Sequence, residues 1–129
     1  MPNPNLTPAR VVEIQLSALQ RNDDPLPDAG ILQTWAFAHP ENKRLTGPIG
    51  RFAAMIRGPG FRFLINHRSH RIKPLVENAD YAVYAVTVVS TDGPVVLYRW
   101  EVAKSAAGET AGSWMTTGVS PPVPVGEET

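Results

Sequence analysis

Three observations predict an α+β fold with the helices first and an antiparallel sheet second. Up to Gly58-Pro59-Gly60 the apolar residues recur with a helical period. Beyond that turn they alternate with period two, and β-branched and aromatic types take over. Asp92-Gly93 then separates two such runs as a hairpin turn does. Runs of helices followed by runs of strands argue for a strand meander covered by helices, not for alternating parallel strands.

Thr7 followed by Pro8 starts the first helix, because the hydroxyl accepts from an orphan amide and proline in the first turn forfeits no hydrogen bond. This helix is expected to run to about Asn22, with Val12, Leu16 and Leu19 as a buried stripe that Val11, Ile14 and Ala18 widen; Asp23-Asp24-Pro25 ends it. Pro27 and Asp28 open a second helix in PDAGILQTWAFAHP. There Ile31, Trp35 and Ala38 align before Pro40 stops the run. A third, from about Pro48 to Arg57, places Ile49, Phe52, Ala53 and Ile56 at positions i, i+3, i+4 and i+7.

Strands are expected within Phe61 to Ile72 and over Asp80 to Thr91, Val95 to Ala103 and Ser113 to Val119. Val96, Tyr98, Trp100 and Val102 share the face that the three helices must cover, with Arg99 and Glu101 on the other. Tyr81 to Val89 carries apolar residues on both faces: Ala82, Tyr84, Val86 and Val88 on one, Val83, Ala85 and Val89 on the other. The outer face of the sheet is therefore expected to form a homodimer. One domain is expected over residues 7–120, with flexible termini at 1–6 and at 121–129, the latter being the proline-rich SPPVPVGEET.

The 129 residues hold twelve basic and twelve acidic side chains, so no net field draws the protein to nucleic acid or to an anionic membrane. Cysteine is absent, which removes disulfides, thiolate nucleophiles and thiolate metal sites together. No basic region followed by an apolar run opens the chain, and no segment approaches a membrane span of about 18 apolar residues. These features lead to the expectation of a soluble cytoplasmic protein with no nucleic-acid or membrane partner and no metal or other cofactor.

The segments VVEIQLSALQRND, RFAAMIRG, DGPVVLYRWEVAK and GSWMTT together resemble an uncharacterised domain family of the nuclear transport factor 2-like (cystatin-like) superfamily. The resemblance spans about residues 8–120. It is carried by Gln15, Leu16, Ala18 and Leu19 followed by Asp23, by Arg51-Phe52 with Met55, and by Gly112 with Trp114. It implies a cone-shaped fold: three N-terminal helices in the concave face of a curved antiparallel sheet of about four strands, often enclosing a pocket. Ketosteroid isomerase-like and polyketide cyclase-like enzymes share that cone and differ in chemistry, so the fold alone leaves enzymatic activity undecided. Met115-Thr116-Thr117 departs from the family's last strand, where a basic and then an apolar residue are expected.

Within this frame the expected partner is a small, partly apolar ligand held between helices and sheet. The pocket is assigned to Trp35, Phe52, Tyr84, Tyr98 and Trp100, whose rings offer apolar area with a few phenol and indole donors. Acid/base chemistry of an isomerase, lyase or cyclase kind needs a carboxylate or histidine held in an apolar wall, and the candidates are Asp24, His39 and His67. The alternative is a non-catalytic dimerisation or interaction module. NHRSHRIK, residues 66–73, reads as a polar rim strand in which Arg68 and Arg71 either bind an anion or keep an edge solvated. Strand alternation would set His67 and His70 on opposite faces, which speaks against a shared metal.

Overall fold

A computed structural model describes residues 2–106 and 108–127. The architecture is α+β: four α-helices, then a curved, open antiparallel sheet. α1 (Pro8–Gln20) starts where Thr7 and Pro8 predict, with the Thr7 hydroxyl accepting from the Arg10 amide at 3.2 Å. It buries Val11, Val12, Leu16 and Leu19, and also Gln15, a polar residue inside the apolar stripe. α2 (Ala29–Ala36) packs so closely on α1 that a Cβ on Gly30 would lie 2.2 Å from the Ala18 carbonyl oxygen. Asp28 precedes α2 in the left-handed region, and its carboxylate pairs with Arg57.

The three-helix expectation is corrected here, because α3 (Pro40–Thr46) begins at the proline that had been read as a stop. Proline in the first turn opens a helix as readily as it ends one, and His39 caps it, its Nδ1 accepting from the Glu41 amide at 3.1 Å. α3 buries no residue, so its sequence carries no amphipathic signal. α4 (Ile49–Ile56) buries Phe52 and Ile56 as its spacing predicts.

The sheet is also extended. The first strand, β1 (Ser69–Glu77), starts later than expected, since a 3-10 turn at Arg62–Leu64 and a left-handed Asn66 occupy the preceding residues. β2 (Tyr81–Val89) and β3 (Pro94–Lys104) form the central hairpin, with Tyr84 opposite Trp100 and Val86 opposite Tyr98. Gly93 takes the positive φ that the hairpin turn requires. β4 (Trp114–Val119) pairs with the C-terminal half of β3, and β5 (Val123–Glu127) with its N-terminal half. The tail expected to be flexible is therefore a strand through residue 127. Met1 at the other terminus, and Glu128 and Thr129, fall outside the described residues. In effect β4 and β5 are one edge strand interrupted at Ser120–Pro122, where Ser120 still bridges to Arg99.

Ala82, Tyr84, Val86, Val88, Val96, Tyr98, Trp100 and Val102 face the helices and form one core with Val11, Val12, Leu16, Leu19, Ile31, Phe52 and Ile56. Each large side chain buried in this way contributes about 1.5–3 kcal/mol. Between the four helices and the β3–β4 pair, however, the core is incompletely filled.

Candidate functional site

That unfilled region is a partly enclosed cavity of about 150 Å³. α1 contributes Gln15 and Leu19 to its wall, α2 Thr34, α3 Asn42 and Thr46, and α4 Phe52, Met55 and Ile56; Ala38, Phe61, Leu64, Trp100, Thr116, Gly118 and Val119 complete it. Most of this wall is apolar. Its deepest polar group is a closed knot: the Trp100 indole N–H donates to Gln15 Oε1 and to Thr116 Oγ1, each at 3.1 Å, and the Thr116 hydroxyl donates to Gln15 Oε1. The Gln15 amide nitrogen in turn donates to the Thr34 carbonyl at 3.1 Å.

The knot fixes one amide, one hydroxyl and one indole in the wall without any charge. Nearer the mouth, Asn42 donates to the Thr116 carbonyl at 3.3 Å and the Thr46 hydroxyl donates to the Asn42 carbonyl at 2.8 Å. Among the described residues, no Asp, Glu, His, Lys, Arg or Tyr side chain lines the cavity. The wall can therefore hold and orient a small neutral molecule, and it offers no proton donor or acceptor of matched pKa.

Of the aromatic residues expected to line a pocket, Phe52 and Trp100 do so. Trp35 stands behind Phe52, ring centroids 5.1 Å apart, and carries Lys43 over its outer face. Tyr84 and Tyr98 lie in the core away from the cavity, their hydroxyls donating to Glu77 at 2.6 Å and to the Gly60 carbonyl at 2.9 Å. Burial pushes both phenols well above the ordinary tyrosine range; beside Tyr84 the Glu77 carboxylate adds to the rise, and near Tyr98 the Arg62 charge opposes it.

The acid/base candidates are not brought together. Asp24 is exposed on a shallow groove with Arg21 and Gln33, and His39 caps α3. His67 is buried, 2% exposed, and it meets His70 against the strand alternation expected of them. The left-handed Asn66 turns the chain before β1 begins, so His67 lies outside the strand that holds His70. Its Nδ1–H donates to the Leu64 carbonyl at 2.7 Å, its Nε2 lies 2.8 Å from His70 Nδ1, and His70 Nε2 lies 2.5 Å from Glu13 on α1. Ser17 donates to the same Glu13 oxygen at 3.0 Å.

These groups are joined in series and do not converge on a point as metal ligands do. Burial, the largest cause, holds His67 below its ordinary pKa; the neighbouring His70 acts the same way, while the Leu64 bond and the Glu13 charge oppose it. Arg68 and Arg71 are both exposed, Arg71 opposite Thr87 on the sheet face away from the helices, and neither approaches the cavity.

Gln15, Thr34, Asn42 and Thr116 were not singled out as site residues by the sequence. Signals existed for two of the four: Gln15 interrupts an otherwise apolar stripe, and Thr116 is one of the residues departing from the resembled family's last strand. Compared with models of protein families, with curated proteins and with solved structures, the chain finds no match in any of the three. Among the described residues no helix is long and apolar enough to cross a membrane.

Proposed function

We propose that this chain binds a compact, uncharged, mostly apolar small molecule in the cavity between helices and sheet. One observation carries the reading: a partly enclosed space of about 150 Å³ whose wall is apolar except for a cluster of uncharged hydrogen-bonding groups. A well-packed domain leaves few voids larger than a water molecule, and a dry apolar cavity of about this volume accepts benzene. The resemblance to nuclear transport factor 2-like domains supports the same location for a ligand. Acid/base catalysis is the weaker half of the expectation, because Asp24 and His39 stand off the wall and both ring nitrogens of His67 are engaged.

Benzene and phenol serve as probes in a titration followed by the methyl signals of Leu19, Ile56, Leu64 and Val119. Saturable shifts confined to these methyls, with phenol the tighter ligand and both lost in Ala38→Leu, support the reading. Shifts spread over the surface, or none at millimolar probe, refute it.

A second reading is favoured by one feature. On the outer face of the sheet Ala85, Val89, Val95 and Leu97 adjoin the exposed Val123. We infer that this apolar strip pairs two copies of the chain. Sedimentation equilibrium giving a dimer that Leu97→Lys dissociates supports it, and a monomer at all concentrations refutes it.

A further inference from the structure

The Glu13, His70, His67 chain is absorbed by neither reading, and its hydrogen-bond inventory is restrictive. It has three gaps, Glu13 to His70, His70 to His67, and His67 to the Leu64 carbonyl, spanning 2.5, 2.8 and 2.7 Å. A carbonyl accepts only, so the last gap must hold the Nδ1–H of His67. The middle gap joins two ring nitrogens, and one of them must carry a proton. The first gap needs a proton on His70 Nε2 or on the Glu13 carboxyl. Three protons fill three gaps.

That number is one more than two neutral imidazoles and an ionised carboxylate hold. With the extra proton removed, two lone pairs face each other in some gap, whichever tautomers are chosen. With a further proton on the rings, two N–H groups face each other across 2.8 Å between His67 and His70. Both changes break the chain.

α1 presents Glu13, steadied by Ser17; β2 faces His70 through Val88; and His67 responds to the charges of His70 and Glu13. The chain ends beside the cavity. The Leu64 side chain lines it, and the neighbouring Asn66 amide donates to the carbonyl of Leu19, another wall residue, at 2.8 Å.

We propose that Glu13, His70 and His67 form a proton-counting latch that fixes the Leu64–His67 segment, whose Leu64 lines the cavity, to α1, closed only while each of its three gaps holds one proton. In this role the histidines regulate the site and do not perform chemistry in it, since the far end of the chain is a backbone carbonyl that cannot pass a proton on. The Asn66 bond to Leu19 and the Gln20 amide bond to the Arg68 carbonyl, at 2.8 Å each, remain when the latch opens. Opening therefore loosens Leu64 without detaching the segment. Its effect on a ligand rests on the binding function proposed above, but the latch itself is read without a ligand.

The experiment is ring-nitrogen NMR of the full chain between about pH 4.5 and about pH 9, with Leu64 methyl shifts and exchange of the Asn66 amide recorded alongside. The expected result is a window in which His67 is the neutral Nδ1–H tautomer while His70 shares the extra proton with Glu13. Leu64 should shift on both sides of it, while the Asn66 amide, still bonded to Leu19, stays protected. In Glu13→Gln the first gap loses its proton-sharing partner, so the window should narrow or vanish, while His39→Asn should leave it intact. Two histidines that titrate independently, with His67 in the Nε2–H form and Leu64 indifferent to pH, overturn the latch.

Benzene affinity then separates the two claims. With the latch intact, affinity should fall by up to about tenfold per pH unit outside the window, the limit for one coupled proton. No benzene binding at any pH removes the cavity function, while the ring and methyl signals still decide the latch.

Discussion

Replacing Gln15 by leucine tests the buried knot that lines the cavity. The side chain is 1% exposed, and leucine nearly matches its volume, so packing changes little and the polar account dominates. Three hydrogen bonds go, but their partners fare differently. The Thr34 carbonyl keeps the Phe37 amide at 3.1 Å, and the Trp100 indole keeps Thr116 Oγ1 at 3.1 Å. Only the Thr116 hydroxyl proton loses its acceptor. A stranded buried donor costs about 1–3 kcal/mol and each net bond about 0.5–1.5 kcal/mol, offset in part by the apolar leucine, which gives a loss of about 2–3 kcal/mol.

Thr116→Val strands nothing, since Trp100 still donates to Gln15 at 3.1 Å; it should cost only about 0.5–1.5 kcal/mol. In the double variant the indole becomes the stranded donor in place of the hydroxyl. Its cost should match Gln15→Leu and fall short of the sum of the singles. Urea unfolding followed by circular dichroism measures all three. Additive losses, or a Thr116→Val cost equal to that of Gln15→Leu, would refute the knot.

Other outcomes follow from the same geometry. Gly30→Ala drives a methyl into the Ala18 backbone and should cost about 3 kcal/mol or more, at the upper end for overpacking, in the same unfolding assay. Because burial depresses the folded pKa of His67, the unfolded chain takes up more protons below the ordinary value of 6.5. The stability contribution is complete above that pH and drains away as pH falls toward the depressed value, at up to about 1.4 kcal/mol per pH unit. Urea midpoints at about pH 7.5 and about pH 5 should differ, and differ less in His67→Gln. Tyr84 and Tyr98 carry the opposite sign: their raised values favour the fold below the ordinary tyrosine pKa of 10.0, and that contribution is lost as pH rises through the folded values. Alkaline absorbance titration should show two phenols that ionise only with unfolding, whereas three ionising reversibly at about pH 10.5 in the folded chain would contradict it.

The sequence was legible where one local signal determined one structure. Thr7-Pro8 starts α1, the spacing of Ile49, Phe52, Ala53 and Ile56 makes α4, and Asp92-Gly93 turns the β2–β3 hairpin. It misled where a signal serves two purposes: Pro40 stops one helix and starts the next, and α3 has no buried face to announce itself. It also failed where pairing is long-range. Residues 123–127 of the proline-rich tail lack strand periodicity yet dock on β3, because β4 ends beside an edge of β3 that is still unpaired.

The candidate site followed the same division. Phe52 and Trp100 line the cavity, but Tyr84 and Tyr98, large aromatics of the same core, do not, so size and core position alone do not mark a cavity wall. Gln15 and Thr116 come together across 101 positions of sequence, a distance no local pattern spans. The His67–His70 contact was excluded by an alternation rule that applies only within a strand, and a single left-handed residue, Asn66, placed His67 outside it.

The most direct measurement is a crystal structure of the protein soaked in benzene at good resolution. The binding account predicts an intact cavity with planar density bounded by Leu19, Phe52, Leu64 and Trp100 and with Gln15 and Thr116 at its polar end. Side chains collapsed into that space, with no density after soaking, would contradict it.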